Sequence, residues 1–342
     1  MPSMERESHR IVIAGASSLL GAELKSLLEE SRFADWDFRL LDEEEAAGTL
    51  TEAGGEATVI QPVEEGSFEK ARFIFFTGSP KFTRANLAAA ALAGSTQAAT
   101  IVDLSGETIE HQLANIWFPA GGQLKPVANA GIPFTYAIPT AAATAVSSLA
   151  LGLAPLSLKR LIVTCALPVS EADRPGIEEL ESQTSQLLSF QSVGKPVFDT
   201  QVAFTVLDRF GSASSHSLAA ARRRIRAEVK ACVGSRVVRP AVQVVHAPVF
   251  YGTVFSAWAE LDRTANDEGI VDACKKAGFF ITQESEGPSN MSAAGERVIQ
   301  LGRPEPEQAQ VGTWWLWGAA DNIRLPAANA VKLAEKLVEK LA

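Results

Sequence analysis

The sequence predicts an α/β protein: a doubly wound parallel sheet joined to an α+β second domain, with the last helix returning to the first domain. Three observations carry this. The chain opens on a strand, a glycine turn and an amphipathic helix, RIVIAGASSLLGAELKSLLEE from Arg10 to Glu30. Strands then alternate with helices as far as Ala130, the pattern of a parallel sheet covered on both faces. Beyond Ile132 long strands predominate, until a helix closes the chain from Leu325 to Leu341.

Ile11, Val12 and Ile13 form the short apolar run of a strand buried on both faces. Leu19, Leu20, Leu24, Leu27 and Leu28 recur at spacings of three and four, so Leu19 to Glu30 is expected to be helical. Strand, turn and helix make the first unit of a Rossmann-like sheet, in which backbone N–H groups at the helix start face a pyrophosphate. The turn reads Gly15-Ala16-Ser17-Ser18-Leu19-Leu20-Gly21, with glycine at both ends of a G-x-x-G-x-x-G spacing and Ser18 in the middle place. Its alternative is a glycine turn that binds nothing. Asp37 to Leu41 is the second strand and runs into Asp42-Glu43-Glu44-Glu45. A carboxylate there accepts from ribose hydroxyls and repels a 2′-phosphate, which favours NAD over NADP; the alternative is an exposed acidic loop.

Thr58 to Gln61 and Arg72 to Thr77 are further strands, the latter ending at Gly78-Ser79-Pro80, at the sheet edge where ligands bind. Phe82 to Ala93 is expected to be a helix ended by Gly94, Thr100 to Leu104 a strand before Ser105-Gly106, and Val127 to Ala130 the strand that closes the sheet. The second half predicts helices over Thr140–Leu153, Pro175–Leu188, Leu218–Val233 (stopped by Gly234) and Asn266–Ala277. Its strands are expected over Arg160–Ala166, Val202–Leu207, Val237–Ala247, Val254–Asp262, Val298–Leu301 and Trp314–Trp317. The expected division is residues 1–133 with 318–342 for the nucleotide domain and 134–317 for the second. That second sheet needs an apolar cover, which a partner subunit supplies in a homodimer.

Lys plus Arg is 31 against 40 for Asp plus Glu, so the net charge of 31 − 40 = −9 argues against a nucleic-acid binder. Arg222-Arg223-Arg224 is read as a solvated helix face. Cys165, Cys232 and Cys274 are scattered and the four histidines have no metal-ligand spacing, so no metal and a reducing cytoplasm are expected. The charged start MPSMERESHR has no apolar core of a signal peptide. The apolar stretch Ala137 to Leu156 holds Thr140, Thr144, Ser147 and Ser148 between prolines, and reads as a buried helix rather than a membrane span.

The order of motifs resembles the semialdehyde dehydrogenases, especially aspartate-semialdehyde dehydrogenase. GASSLLGAEL is similar to that family's nucleotide loop, FFTGSPKFTRANLAAAALAG to its strand-turn-helix near the nicotinamide, and IVDLSGE to its D-x-S-S segment. PGIEELESQ with QVAFTVL resembles part of its second domain, and AADNIRLPAANAVKLAE its DNxRxGAAxNAVQxAE signature. The resemblance implies a homodimer, a nicotinamide cofactor (NAD favoured, NADP possible) and a small-molecule ligand. It places cofactor contacts at Gly15, Ser17, Ser18, Leu19, Leu20, Gly21, Glu45, Gly78, Ser79 and Asn322, with Lys332 where the family's helix glutamine stands.

The implied reaction, reductive dephosphorylation of an acyl phosphate or its reverse, needs a cysteine thiolate, a histidine acid and base, and arginines for the substrate's anionic groups. Position by position, none is kept. Aligning on Pro139 puts Ala141 at the nucleophile, and aligning on Pro155 puts Thr144 there. Thr253 stands for the histidine and His246 for a substrate arginine, while Glu107-Thr108-Ile109 replace the arginine after the D-x-S-S segment. The glutamine expected within residues 165–169 is missing too. Three readings follow: a silent relative that keeps fold and dimer, with a possible nucleotide or metabolite role; an oxidoreductase of amino-acid biosynthesis drawing on Ser79, Thr144, Cys165, His246 and Thr253; and an interaction protein without a ligand.

Overall fold

The computed structural model describes residues 9–53, 56–97, 99–121, 124, 135–283 and 285–339. Two compact units divide the chain: residues 1–117, 123–138 and 327–342 form the first, and 118–122 with 139–326 the second.

In the first unit β1 (Arg10–Ala14), α1 (Leu19–Glu29) and β2 (Asp37–Asp42) follow the expected order. A hairpin of β3 (Leu50–Ala53) and β4 (Glu56–Val59) leads to β5 (Gln61–Pro62), β6 (Ala71–Phe76), α2 (Pro80–Gln97) and β7 (Thr100–Asp103). The short elements α3 (Glu107–Glu110), β8 (Asn115–Ile116) and β9 (Thr135–Ala137) complete the run. The sheet order is β5-β2-β1-β6-β7-β9-β8, and every neighbouring pair is parallel. Val127–Ala130 lies outside the described residues; the strand beside β7 is β9.

Alternate residues of β1 face opposite layers. Ile11 and Ile13 join Leu24, Leu27 and Leu28 of α1 and Ala330, Leu333 and Ala334 near the chain end. Val12 and Ala14 join Ile74, Phe76, Phe82, Leu87 and Ala90 on the other face. The expected stop at Gly94 is corrected, since α2 runs on to Gln97. One glycine costs a helix only about 1 kcal/mol against alanine, too little to break an alanine-rich run.

The second unit begins with α4 (Ala141–Leu153), β10 (Arg160–Leu167), α5 (Asp173–Leu188) and α6 (Leu218–Val233). It continues through β11 (Ala241–His246), β12 (Thr253–Glu260), α7 (Asp267–Lys276), β13 (Phe279–Ile281) and α8 (Asn290–Ala293). It ends with β14 (Ile299–Leu301), β15 (Glu305–Pro306) and β16 (Thr313–Ala320), before α9 (Arg324–Glu339), whose residues from Ala327 belong to the first unit and pack in the core that contains α1. The mixed sheet runs β11-β10-β12-β16-β14-β13, with β15 on β16. Along β12 buried and half-buried residues alternate strictly, so one face is covered and the other is open. The open face carries the cross-strand row Ile162, Trp258, Trp315 with Trp317 beyond it. No helix among the described residues is long and apolar enough to cross a membrane.

Two expected strands of the second unit change, and in the first the strand expected over Thr58–Gln61 is divided between β4 and β5. Val202–Leu207 is not a strand: Gln183 Oε1 accepts from the Val202 and Ala203 N–H groups, Phe204 takes φ 59°, and only Leu207 pairs, with His246. A side-chain amide has taken the bonds that a neighbouring strand would supply. The strand expected from Val237 begins only at Ala241, after Pro240, which has no N–H to give a ladder. Its edge is guarded by Arg226, whose Nε and Nη2 donate to Val242 O at 3.0 and 2.6 Å.

Candidate functional site

The glycine turn of the first unit lies where β1 sits between β2 and β6, the point at which the winding of the sheet reverses. Gly15 has φ +98°, and a Cβ there would lie 2.1 Å from Gly78 N. A Cβ on Gly21 would lie 2.3 Å from Gly15 O. These three glycines thus let the strand-to-helix turn, the helix start and the end of β6 touch backbone to backbone. Ser18 caps α1: its Oγ accepts from Gly21 N–H at 2.9 Å and lies 2.8 Å from Gly15 O and 3.1 Å from Thr77 O. The hydroxyl occupies the space that a middle glycine would leave open. Thr77 Oγ1 donates to Gly15 O at 2.9 Å and ties the same crossing from β6.

The acid at the end of β2 is Asp42. It is buried, and its Oδ2 accepts from Ser17 N–H at 2.8 Å while Oδ1 accepts from Glu43 N–H at 2.9 Å. Glu43, Glu44 and Glu45 are exposed beyond it. Leu19 and Leu20 are half-buried at the helix start. Ser79 is exposed, and its Oγ accepts from Phe82 N–H at 3.1 Å, at the start of α2. Lys332 is exposed on α9. The switch point, the close-packed glycines, the helix start and a carboxylate at the end of β2 are the parts of a dinucleotide-binding Rossmann turn.

After β7, Asp103 holds a buried turn: Oδ1 accepts from Ser105 N–H and Oγ, and Oδ2 from Thr108 N–H and Oγ1, all at 2.6–2.8 Å. Glu107, in the stretch 107–109 where the resemblance implies an arginine, is a buried carboxylate gripped by the fork of Arg84 at 2.6 and 2.9 Å. Arg84 neutralises that charge inside the unit.

In the second unit Ala141 and Thr144 lie buried in the first turns of α4, and Thr144 Oγ1 lies 3.4 Å from Pro139 O. Thr140 caps that helix. Its N–H and Oγ1 both donate to Glu228 Oε2, at 3.0 and 2.6 Å, and Glu228 Oε1 accepts from Arg224 Nε at 2.8 Å. Thr253 is buried, and its hydroxyl has no hydrogen-bond partner. His246 is buried among aromatic rings, 5.6 Å from Phe210 and 6.2 Å from Phe198, and burial pushes its pKa down. Cys165 is fully buried on β10, where burial pushes its thiol up to about 12, far from a thiolate at neutral pH. Asn322 is also here: its Oδ1 accepts from Gly252 N–H at 2.9 Å and its Nδ2 reaches Ser170 Oγ at 3.0 Å, so it fixes two loops of the second unit. Among the described residues no group of three or more His, Cys, Asp or Glu is placed to hold a metal ion.

The structure therefore gathers Gly15, Ser17, Ser18, Gly21 and Gly78 at one crossing, while Glu45 and Ser79 are exposed and Asn322 is engaged in the second unit. Asp42 and Glu228 were not singled out by sequence pattern. A signal existed for Asp42, the last residue of a strand before an acidic run; none existed for Glu228, whose partner Thr140 is 88 residues away.

The semialdehyde dehydrogenase dimerisation domain family matches residues 150–325. A USG-1 protein homolog of Pseudomonas aeruginosa is 30% identical over 335 residues, 96% of this chain and 97% of that protein. Among solved structures, a probable aspartate-semialdehyde dehydrogenase from Pseudomonas aeruginosa superposes with TM-score 0.86 at 28% identity, covering 98% of this chain and 99% of that one. Aspartate semialdehyde dehydrogenase II of Vibrio cholerae, solved with ASA, gives TM-score 0.83 at 23% identity, covering 97% and 98%.

Proposed function

The chain belongs to the aspartate-semialdehyde dehydrogenase family, in the branch of the USG-1 protein homologues, and we propose that it keeps that family's fold and dimer while being silent in its reaction. The observation that carries this reading is the start of α4. Neither alignment puts a thiol there, and the nearest cysteine in the chain, Cys165, is sealed in a strand with its pKa raised to about 12. Without a thiolate there is no thiohemiacetal, and so no hydride donor at the required oxidation level. Thr253 in place of the base and Glu107-Thr108-Ile109 where an arginine is implied make the loss compound.

The remaining role is binding. The first unit is proposed to take a nicotinamide dinucleotide, NAD in preference to NADP, through the turn Gly15–Gly21 and the end of β2. Such a cofactor would supply hydride chemistry; this chain's residues would hold its pyrophosphate and ribose. Buried thiols at Cys165, Cys232 and Cys274 suit a reducing cytoplasm. The purified protein is expected not to reduce NAD or NADP with aspartate semialdehyde and phosphate. Absorbance of reduced nicotinamide, followed for wild type, Ala141→Cys, Thr144→Cys and each combined with Thr253→His, tests this. Single variants should stay inactive, because residues that act as a unit are strongly non-additive. Wild-type turnover in the usual range of about 1–10³ s⁻¹ would overturn the proposal.

The dimer is proposed to form through the open face of the second sheet. Trp315 and Trp317 are 43% and 47% exposed although their indole N–H groups already donate to Glu307 Oε2 and Pro288 O. Their rings are thus fixed and left as apolar surface, the pattern of interface anchors. Light scattering should give twice the chain mass for wild type, and the chain mass for Trp315→Glu combined with Trp317→Glu. A wild type that is monomeric at micromolar concentration removes the idea.

A further inference from the structure

We propose that Asp42, rather than the exposed glutamates after it, is the residue that sets the choice between dinucleotides in this chain, by excluding a 2′-phosphate. This rests on the cofactor reading above and deepens it. The acidic run offers four carboxylates in a row. The structure separates them. Glu43, Glu44 and Glu45 are exposed, where charge is well screened and a side chain swings away at little cost. Asp42 is 7% exposed, and both its oxygens are oriented by backbone N–H groups, from Ser17 within the nucleotide turn and from Glu43.

That pairing with Ser17 fixes a negative charge one hydrogen bond from the turn that would carry the pyrophosphate. Each carboxylate oxygen retains a further lone pair, so Asp42 can still accept from a ribose hydroxyl. A 2′-phosphate at the same place would bring like charge against a carboxylate that cannot rotate away. Nor can the cations along β1 and β2 move in to neutralise it. Arg39 is committed to Gly66 O and Ser67 O at 3.2 and 2.9 Å, and Arg10 to Asp37 at 2.6 Å. Pattern and geometry agree on one residue, and they give Asp42 two tasks: holding the turn and sorting the ribose.

Isothermal titration calorimetry with NAD⁺ and NADP⁺ on the whole protein separates these tasks. Wild type should bind NAD⁺ at least about tenfold more tightly, the size expected for one unscreened like charge near a surface. Asp42→Asn keeps an oxygen for the Ser17 N–H but loses the charge, so the preference should fall to within about twofold, mainly by gain of NADP⁺ affinity. Glu43→Gln should leave the preference unchanged. A second measurement needs no variant: the wild-type preference should shrink as salt rises from about 0.05 to about 0.5 M, because the exclusion is electrostatic. Equal or tighter NADP⁺ binding by wild type, or a preference untouched by both Asp42→Asn and salt, would overturn the assignment while leaving the cofactor reading intact. Binding of neither dinucleotide at millimolar concentration would instead refute the cofactor reading, and this assignment with it.

Discussion

The two ends at which this fold could do chemistry have been treated differently. At the nucleotide turn, three glycines meet backbone to backbone, and the bonds of Ser18, Thr77 and Asp42 all reinforce the same crossing. At the start of α4, positions that the resemblance assigns to covalent catalysis hold alanine and threonine, and the polar groups around them serve one another. Glu228 is the hub there, fully buried and bonded to Thr140 and Arg224. The first site could not be dismantled without losing the fold, because its glycines are demanded by packing whether or not a ligand binds. The second is held by a cap and a buried ion pair, Thr140 on Glu228 and Glu228 on Arg224.

Substitutions probe that contrast, and the largest effect is expected at Gly15. Gly15→Ala places a Cβ 2.1 Å from Gly78 N at φ +98° and should cost about 3 kcal/mol or more, from backbone strain and overpacking together. In the same denaturant series Thr140→Ala should cost about 1–2 kcal/mol, the loss of one cap, with Glu228 still holding the Thr140 N–H. If Gly15→Ala were the milder of the two, the packing argument for the glycines would fail.

A smaller effect separates the units by pH. Burial lowers the pKa of His246, and that of half-buried His216 shifts the same way, from an ordinary value of 6.5. Below that value the unfolded chain binds protons that the native state resists. Stability from these groups is thus complete above about pH 6.5 and is lost as pH falls toward the lowered folded values. Unfolding midpoints should decline between pH 7 and pH 5.5, most of all through His246. His246→Gln should flatten that decline. A slope unchanged in this variant would show that other groups dominate the window.

Much of the fold was readable because its signals are local. The apolar run of β1, the leucine spacing of α1 and the Gly234 stop of α6 depend on neighbours within a few residues. The misreadings have different causes. Residues 202–207 have the composition of a strand, and only the arrival of Gln183, 19 residues earlier in sequence, diverts their N–H groups. Gly94 looks like a stop, but the rest of α2 carries the helix past it.

The site divides along the same line. The sequence by itself determined the glycine spacing, the acidic run after β2 and the lack of a cysteine at the start of α4, since residue identity alone decides whether a thiolate can exist there. Only the tertiary structure decided which carboxylate meets the turn, that Glu107 is neutralised by Arg84, that Glu228 caps α4 through Thr140, and that Asn322 fastens loops of the second unit. Those assignments join residues 23 to 88 positions apart, and Asn322 to Gly252 70 apart. A polar side chain acquires its role from what it can reach once buried, and burial is a property of the packed chain rather than of any stretch of it.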